Sequence, residues 1–252
     1  MGTALLVFDV TERAMMERTR REFTANVSHE LKTPLQLIMG SAELIENGMV
    51  SAGDLPRFVG RIRSAAARLV CLIDDIIHLS QMDDAAPLPM EPVDLTDTAG
   101  QALEAVREAA DRKKIRITLT GDQATVSGIP TLLFELVYNL CDNGIKYNRE
   151  GGSLDVRIEE KPGAVALTVT DTGIGIPAEH LGRIFERFYR VDKSHSKESG
   201  GTGLGLSIVK HAAACHGAKL SVESEPGKGT AITVLFPGKP RTQPGENRAV
   251  CK

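Results

Sequence analysis

A histidine followed at once by glutamate, with threonine one helical turn on and proline after that, stands within Phe23 to Pro34 of this 252-residue sequence. A neutral imidazole nitrogen can attack a phosphoryl group near neutral pH, which few other side chains do without strong activation. Glu30 is next to His29, where a carboxylate could accept the proton released as the nitrogen is phosphorylated. Thr33 falls one turn after His29 on the same helix face. Pro34 removes the amide that would bond to the Glu30 carbonyl, so a kink is expected just past the histidine. Two blander readings exist. A His-Glu pair on a helix is in general a solvated surface, and a zinc-protease H-E-x-x-H is excluded because position 33 is threonine.

Four further constellations follow in order. Asn139 and Asn143 are stacked one turn apart, with Lys146 and Tyr147 one turn beyond. Amide oxygens are hard ligands suited to Mg²⁺, and a lysine beside them offsets phosphate charge; a plain polar helix face is the alternative. Asp171-Thr-Gly173-Ile-Gly175-Ile176-Pro177 leaves a strand. Its carboxylate can accept from an adenine amino group, and its glycines admit close backbone approach. Gly201-Thr202-Gly203-Leu204-Gly205-Leu206-Ser207 opens a helix, where free amides and the dipole favour phosphate. Each glycine-rich turn is weak evidence alone, and no P-loop sequence occurs. Between them, Ile184 to Asp192 carries Phe185, Arg187, Phe188 and Arg190, followed by a polar, flexible stretch from Lys193 to Gly200. The two phenylalanines could dock a mobile lid, with an arginine reaching phosphate, or could pack in the core.

These residues need scaffolds, and the sequence changes character between them. Thr11 to about Asn47 is helical in composition, and Gly48 fits its end. A second helix is predicted from about Asp54, a plausible N-cap, to Asp84. Its apolar residues repeat in sevens, with Leu55, Ile62, Leu69 and Ile76 in one row and Phe58, Ala65, Leu72 and Leu79 in the other. Two antiparallel helices bury only a thin seam, and a homodimeric four-helix bundle would bury it better. Pro87, Pro89 and Pro92 mark a linker. Helices are predicted at Leu95–Arg112, Ile129–Tyr147 and Leu204–His216. Strands are predicted at Lys114–Thr120, Ser153–Glu159, Ala164–Asp171, Lys219–Glu223 and Gly229–Phe236, which together suggest an α+β two-layer sandwich. The tail beyond 238 has a disordered composition.

Bulk properties narrow the function classes. Thirty basic and thirty-three acidic residues leave a net charge of -3, giving no reason to expect nucleic acid or a direct membrane contact. Cys71, Cys141, Cys215 and Cys251 are far apart, so no zinc site or disulfide framework is signalled, and a reducing cytoplasm is the simplest reading. No apolar run approaches a membrane span. Ala4 to Phe8 reads as a short strand, the end of an upstream module, and not as a signal peptide.

In their order and spacing, these motifs resemble those of the HisKA-type sensor histidine kinases over about residues 21–236. The resemblance implies a multi-domain chain. It would comprise the end of a PAS-like sensor and linker helix (1–20), an all-α dimerisation and phosphotransfer hairpin (21–86), a Bergerat-type ATP-binding domain (90–238) and a tail (239–252). It implies His29 as phosphoacceptor with Glu30 and Thr33 assisting, ATP and Mg²⁺ as cofactors, and a response regulator receiver domain as partner, with dephosphorylation of that regulator as a further activity. Asn139 and Asn143 would serve the metal. Asn143, Lys146, Tyr147, Asp171, Gly173, Gly175, Ile176, Arg190, Gly201, Thr202, Gly203, Leu204, Gly205 and Leu206 would serve the nucleotide. Two departures are visible: Gly144 where many relatives have alanine, and Asn148 where threonine or serine is frequent. The wider superfamily that includes DNA gyrase and MutL is the rival reading. Those enzymes carry a catalytic glutamate where Asn139 stands, and an amide is no general base at neutral pH. A scaffold that binds nucleotide without transfer is the other rival, and it would lack His29, Asn143 or the glycines.

Overall fold

The computed structural model describes residues 11–84, 89–191 and 201–238. The chain divides into two compact units, Met1–His78 and Leu79–Lys252. The segment Ala4–Phe8, Pro87, the stretch from Lys193 to Gly200, Cys251 and the tail from 239 onward lie outside the described residues.

Two long helices make the first part of the chain, α1 (Thr11–Glu46) and α2 (Leu55–Asp84). Gly48 ends α1 in the left-handed conformation, φ 67°. Its N–H bonds to the Ile45 carbonyl and that of Met49 to the Leu44 carbonyl, a paired closure that only glycine adopts without strain. The start of α2 differs from expectation in one detail. Asp54 precedes the helix, but its carboxylate accepts from the Ser51 hydroxyl at 2.8 Å, while Ser51 Oγ accepts the Asp54 N–H. The pair closes the turn before the helix. Along α2, Phe58, Ile62, Leu69 and Ile76 are half-buried and Ala65 and Leu72 buried, so the seven-residue seam faces its neighbour from Phe58 to Ile76. Leu55, predicted as its first member, is exposed at the helix start, and the side chain of Leu79 lies outside the described residues. From α1 the matching row includes Phe23, Val27, Leu31, Pro34, Ile38 and Ile45. The helix runs on through Pro34, which is itself buried. Outside the seam, Leu35, Leu37, Met39, Leu44, Val59, Val70, Ile73 and Ile77 remain exposed.

The second part folds as the expected two layers. Strands β2 (Arg116–Gly121), β4 (Ser153–Lys161), β5 (Ala164–Asp171), β6 (Lys219–Glu225) and β7 (Gly229–Pro237) form a sheet in the order β2-β4-β5-β7-β6. Only β2–β4 is parallel. Helices α3 (Leu95–Arg112), α4 (Pro130–Lys146) and α6 (Gly205–Cys215) share one core with its inner face. Alternation puts Leu154, Val156 and Ile158 of β4 and Val165, Leu167 and Val169 of β5 inward. On the outer face the Thr168 and Thr233 hydroxyls bond across the strands. A four-residue helix, α5 (Ala178–Leu181), follows the loop after β5.

A small antiparallel pair, β1 (Glu91–Asp94) with β3 (Thr125–Gly128), was not expected. Pro92 sits in a strand with one neighbour, where its missing N–H need not break a ladder. Asp94 then caps α3, accepting from the Thr96 and Asp97 amides at 2.9 and 3.0 Å. Such a cap contributes about 1 kcal/mol. The Gln123 amide and these backbone donors hold the Asp94 carboxyl below its ordinary pKa.

Candidate active site

His29 lies on the exposed face of α1, and among the described residues its ring makes no hydrogen bond. Glu30, one residue on, turns toward α2 instead, and the Arg68 guanidinium donates to Glu30 Oε2 at 3.3 Å. The carboxylate next to the histidine is therefore engaged across the hairpin. The Thr33 hydroxyl donates to the His29 carbonyl at 3.2 Å, an i to i−4 back-bond from the residue directly before Pro34.

The remaining residues singled out in the sequence converge in the second unit. Helix α4 starts with proline in its first turn, where a missing N–H is harmless, and its apolar face buries Leu133, Leu136, Val137 and Leu140. That burial fixes which way Asn139 and Asn143 face. Asn139 Nδ2 donates back to the Glu135 carbonyl at 2.8 Å, which turns Oδ1 outward toward the start of α6. A Cβ placed on Gly205 would stand 2.7 Å from Asn139 Oδ1 and 3.5 Å from Asn143 Nδ2. The bare glycine leaves a cradle beside two side-chain amides, and the oxygens of such groups are the donors that a small oxygen-seeking cation takes.

Lys146 closes the same face, its ammonium 2.6 Å from Asp142 Oδ2. Desolvation is the largest single influence on Lys146 and pulls its pKa down. Asp142, joined by Tyr138 and Tyr147, outweighs it, so the net shift is upward and the lysine stays charged. The end of α4 is gripped from outside by Lys113, whose ammonium donates to the Ile145 and Lys146 carbonyls at 2.9 and 2.6 Å. A cation at a helix C-terminus opposes the negative end of the dipole. Burial pushes the pKa of Lys113 down.

Asp171 ends β5 with its side chain half-buried. Burial raises its pKa, against the opposing effect of the Gly173 and Thr230 amides. The Gly173 N–H donates to Oδ1 at 2.7 Å. A Cβ on Gly173 would collide with the Tyr147 carbonyl, and one on Gly175 (φ 69°) with the Glu225 carbonyl. Both glycines are thus demanded by backbone packed against backbone. The Ile176 N–H finds the Ser224 hydroxyl at 2.8 Å.

At the head of α6, Leu204 is buried as the N-cap residue and offers no side-chain cap, so the first turn presents its amides uncapped. Such a terminus favours anions. The Thr202 hydroxyl accepts the Leu204 N–H at 3.3 Å, and half-buried Leu206 packs on the core. A Cβ on Gly201 would lie 3.1 Å from the Tyr147 hydroxyl and 3.8 Å from an Arg190 nitrogen, which places these three together. Gly203 (φ 77°) packs on the backbone of Phe188, itself at φ 64°, and its carbonyl accepts the Phe188 N–H at 2.9 Å. Phe185 and Phe188 are half-buried.

Sequence reasoning missed Lys113, Asp142, Arg149, Ser224 and His216. His216 is buried, its Nδ1 side 2.6 Å from the Ala212 carbonyl and its Nε2 accepting the Ile129 N–H at 2.9 Å. It joins the end of α6 to the start of α4. Lys113, Arg149, Ser224 and His216 act through backbone atoms of a distant segment, which leaves no spacing signal. Asp142 alone was legible, one turn before Lys146.

Comparison with known proteins supplies the context. Residues 19–85 match the family model described as the His Kinase A phospho-acceptor domain. Residues 128–240 match the one for histidine kinase-, DNA gyrase B- and HSP90-like ATPases. The sensor-like histidine kinase SenX3 of Mycolicibacterium smegmatis is 38% identical over 238 residues, 92% of this chain and 61% of that protein. The chain thus spans about three fifths of the length of the curated relatives it matches. The solved structure of the mycobacterial sensor histidine kinase MprB is 37% identical with a TM-score of 0.53, over 60% of this chain and 99% of that one. Histidine kinase ThkA, solved in complex with the response regulator TrrA, shares the fold with a TM-score of 0.71 at 23% identity, over 94% of this chain and 70% of that one.

Proposed function

The chain belongs to the HisKA-type sensor histidine kinases, and from that premise we propose that it transfers the γ-phosphoryl group of ATP to His29 and then to an aspartate of a response regulator. The observation that carries this reading is the meeting of the Asn139–Asn143 face with the uncapped head of α6 at Gly205. That meeting gives one end of a nucleotide its phosphate site, while Asp171 offers the acceptor for an adenine amino group at the other.

In this reading Asn139 and Asn143 hold Mg²⁺, which when bound neutralises charge on the triphosphate. Lys146 and Arg190 add positive charge, the α6 amides take phosphate oxygens, and Tyr147 flanks the nucleotide. Gly173, Gly175, Ile176, Gly201, Thr202, Gly203, Leu204 and Leu206 shape the loops around it. The neutral His29 nitrogen attacks phosphorus, the bond to the ADP oxygen breaks, and Glu30 accepts the imidazole proton. Glu30 must leave Arg68 to do so. Hydrolysis after the gyrase pattern is disfavoured because Asn139 supplies no carboxylate base.

The same reading assigns 1–20 to the end of an upstream sensor module and linker, 21–86 to dimerisation and phosphotransfer, 90–238 to catalysis and 239–252 to a tail. The exposed apolar residues of α1 and α2 support a homodimeric four-helix bundle. ThkA's complex with TrrA supports a receiver domain as partner. In the same reading Thr33 serves a second activity, removal of phosphate from that regulator. No helix among the described residues is long and apolar enough to cross a membrane, and we place this part of the protein in the cytoplasm. Incubation with γ-labelled ATP should give an acid-labile, base-stable label. A label that survives acid, or free phosphate released without any label, would overturn the assignment.

A further inference from the structure

Two consecutive side chains, Asn148 and Arg149, tie the loop after Asp171 to three other segments. Asn148 is buried. Its Nδ2 donates to the Gly144 and Ser153 carbonyls, both at 2.9 Å, and its Oδ1 accepts the Arg149 N–H at 3.0 Å and the Thr172 hydroxyl at 3.4 Å. Both donors and the acceptor oxygen are thus occupied, and a fully satisfied buried amide admits one orientation. A Cβ on Gly152 would press on this amide and on Thr172 Oγ1, so the neighbouring chain is bare where the amide closes in.

Arg149 is exposed and, among the described residues, pairs with no carboxylate. Its guanidinium instead donates to two backbone carbonyls, Nε to Thr172 at 2.6 Å and Nη2 to Gly227 at 3.3 Å. Those carbonyls belong to two loops that already meet elsewhere. The Gly227 N–H donates to the Ile174 carbonyl at 2.7 Å, and the Ile174 N–H to the Tyr147 carbonyl at 3.1 Å. Arg149 therefore closes a ring of backbone bonds joining the end of α4, the loop after β5 and the β6–β7 turn. Asp171 sits where that ring meets β5, one residue from Thr172.

We propose that Asn148 and Arg149 are positioning residues that fix the Asp171 carboxylate and thereby set the preference for a 6-aminopurine over a 6-oxopurine nucleotide. The inference rests on the reading of Asp171 as the adenine acceptor. Phosphate binding depends on α4 and the head of α6, so loosening the ring moves base selection while leaving phosphate contacts in place. A threonine at position 148 would carry a single side-chain donor and could not bond the Gly144 and Ser153 carbonyls together.

The test is equilibrium binding of ATP and of inosine triphosphate to the whole chain, alongside thermal melting. The unaltered protein should prefer ATP by tenfold or more. Arg149→Met, an exposed change that the fold should tolerate, should weaken ATP about fivefold and inosine triphosphate less than twofold, narrowing the ratio. Arg149→Lys should restore part of it, because an ammonium can serve one carbonyl. Asn148→Thr should narrow the ratio as well. Equal weakening of both nucleotides, or a lowered melting temperature with the ratio intact, would reduce the pair to structural ties and overturn the proposal. Absence of any preference in the unaltered protein would overturn the adenine reading of Asp171 first, and this inference with it.

Discussion

The two parts of the chain organise chemistry in opposite ways. On the helical hairpin a periodic scaffold displays one histidine, and nothing described holds its ring. In the α/β unit no single side chain defines the site. It is assembled from loops whose glycines let backbone press on backbone and whose carbonyls and N–H groups are cross-tied by Asn148, Arg149 and Ser224. A displayed residue can be deleted with the scaffold intact. A cross-tied site responds in degrees, because each tie shifts its neighbours.

The sharpest way to break this contrast is at His29. His29→Gln should abolish autophosphorylation while nucleotide affinity and helicity stay unchanged, since glutamine is a good helix former. Residual labelling in the variant would move the acceptor elsewhere. Asp171→Asn should produce a graded loss. A donor now faces the adenine amino group, and ATP affinity should fall by about 1–3 kcal/mol in calorimetry. Unaltered affinity would remove Asp171 from the nucleotide site.

Thr33→Ala separates two accounts within the hairpin. Its hydroxyl is bonded to the His29 carbonyl, so a purely structural residue would change kinase and phosphatase rates together or not at all. If it instead holds the water that attacks an aspartyl phosphate, phosphatase activity should largely vanish while autokinase activity stays within a few-fold. Both rates should be measured on one preparation, with the regulator supplied phosphorylated.

Smaller effects are expected from protonation. Burial holds the His216 pKa below its ordinary 6.5, although the Ala212 carbonyl favours the charged ring. A depressed folded-state value means that the unfolded chain takes up the proton first. The stability His216 contributes is thus present above about pH 6.5 and is lost as pH falls through the folded value. Denaturant midpoints of the α/β unit should decline on that limb, and less so in His216→Gln. Cys141 gives the mildest check. Burial, with Asp142 beside it, pushes its thiol up to about 12, so alkylating reagents should reach exposed Cys71 and Cys215 well before it.

The sequence revealed the elements more fully than it revealed the ties between them. Helix α3 and strand β5 begin and end where composition placed them, because Asp94 caps the one and Pro162-Gly163 turns the chain before the other. The short β1–β3 pair escaped notice, since four residues per strand carry too little alternation to be read. Among site residues, types and spacings pointed to His29, Asn139, Asn143 and Asp171. They could not show that Glu30 leans on Arg68 or that Lys113 grips the end of α4. Those partnerships join residues through folded space, or depend on which way a long side chain turns. Pattern along the chain records neither.

The uncovered apolar side chains of α1 and α2, Leu35, Met39, Val59, Val70 and Ile73 among them, carry a thermodynamic consequence. If a second copy covers them, unfolding of the hairpin releases two chains from one assembly, and mass action makes its melting point rise with protein concentration. The α/β unit encloses its own core and has no such dependence. Dilution should therefore split a single melting curve into two, with only the helical transition moving to lower temperature.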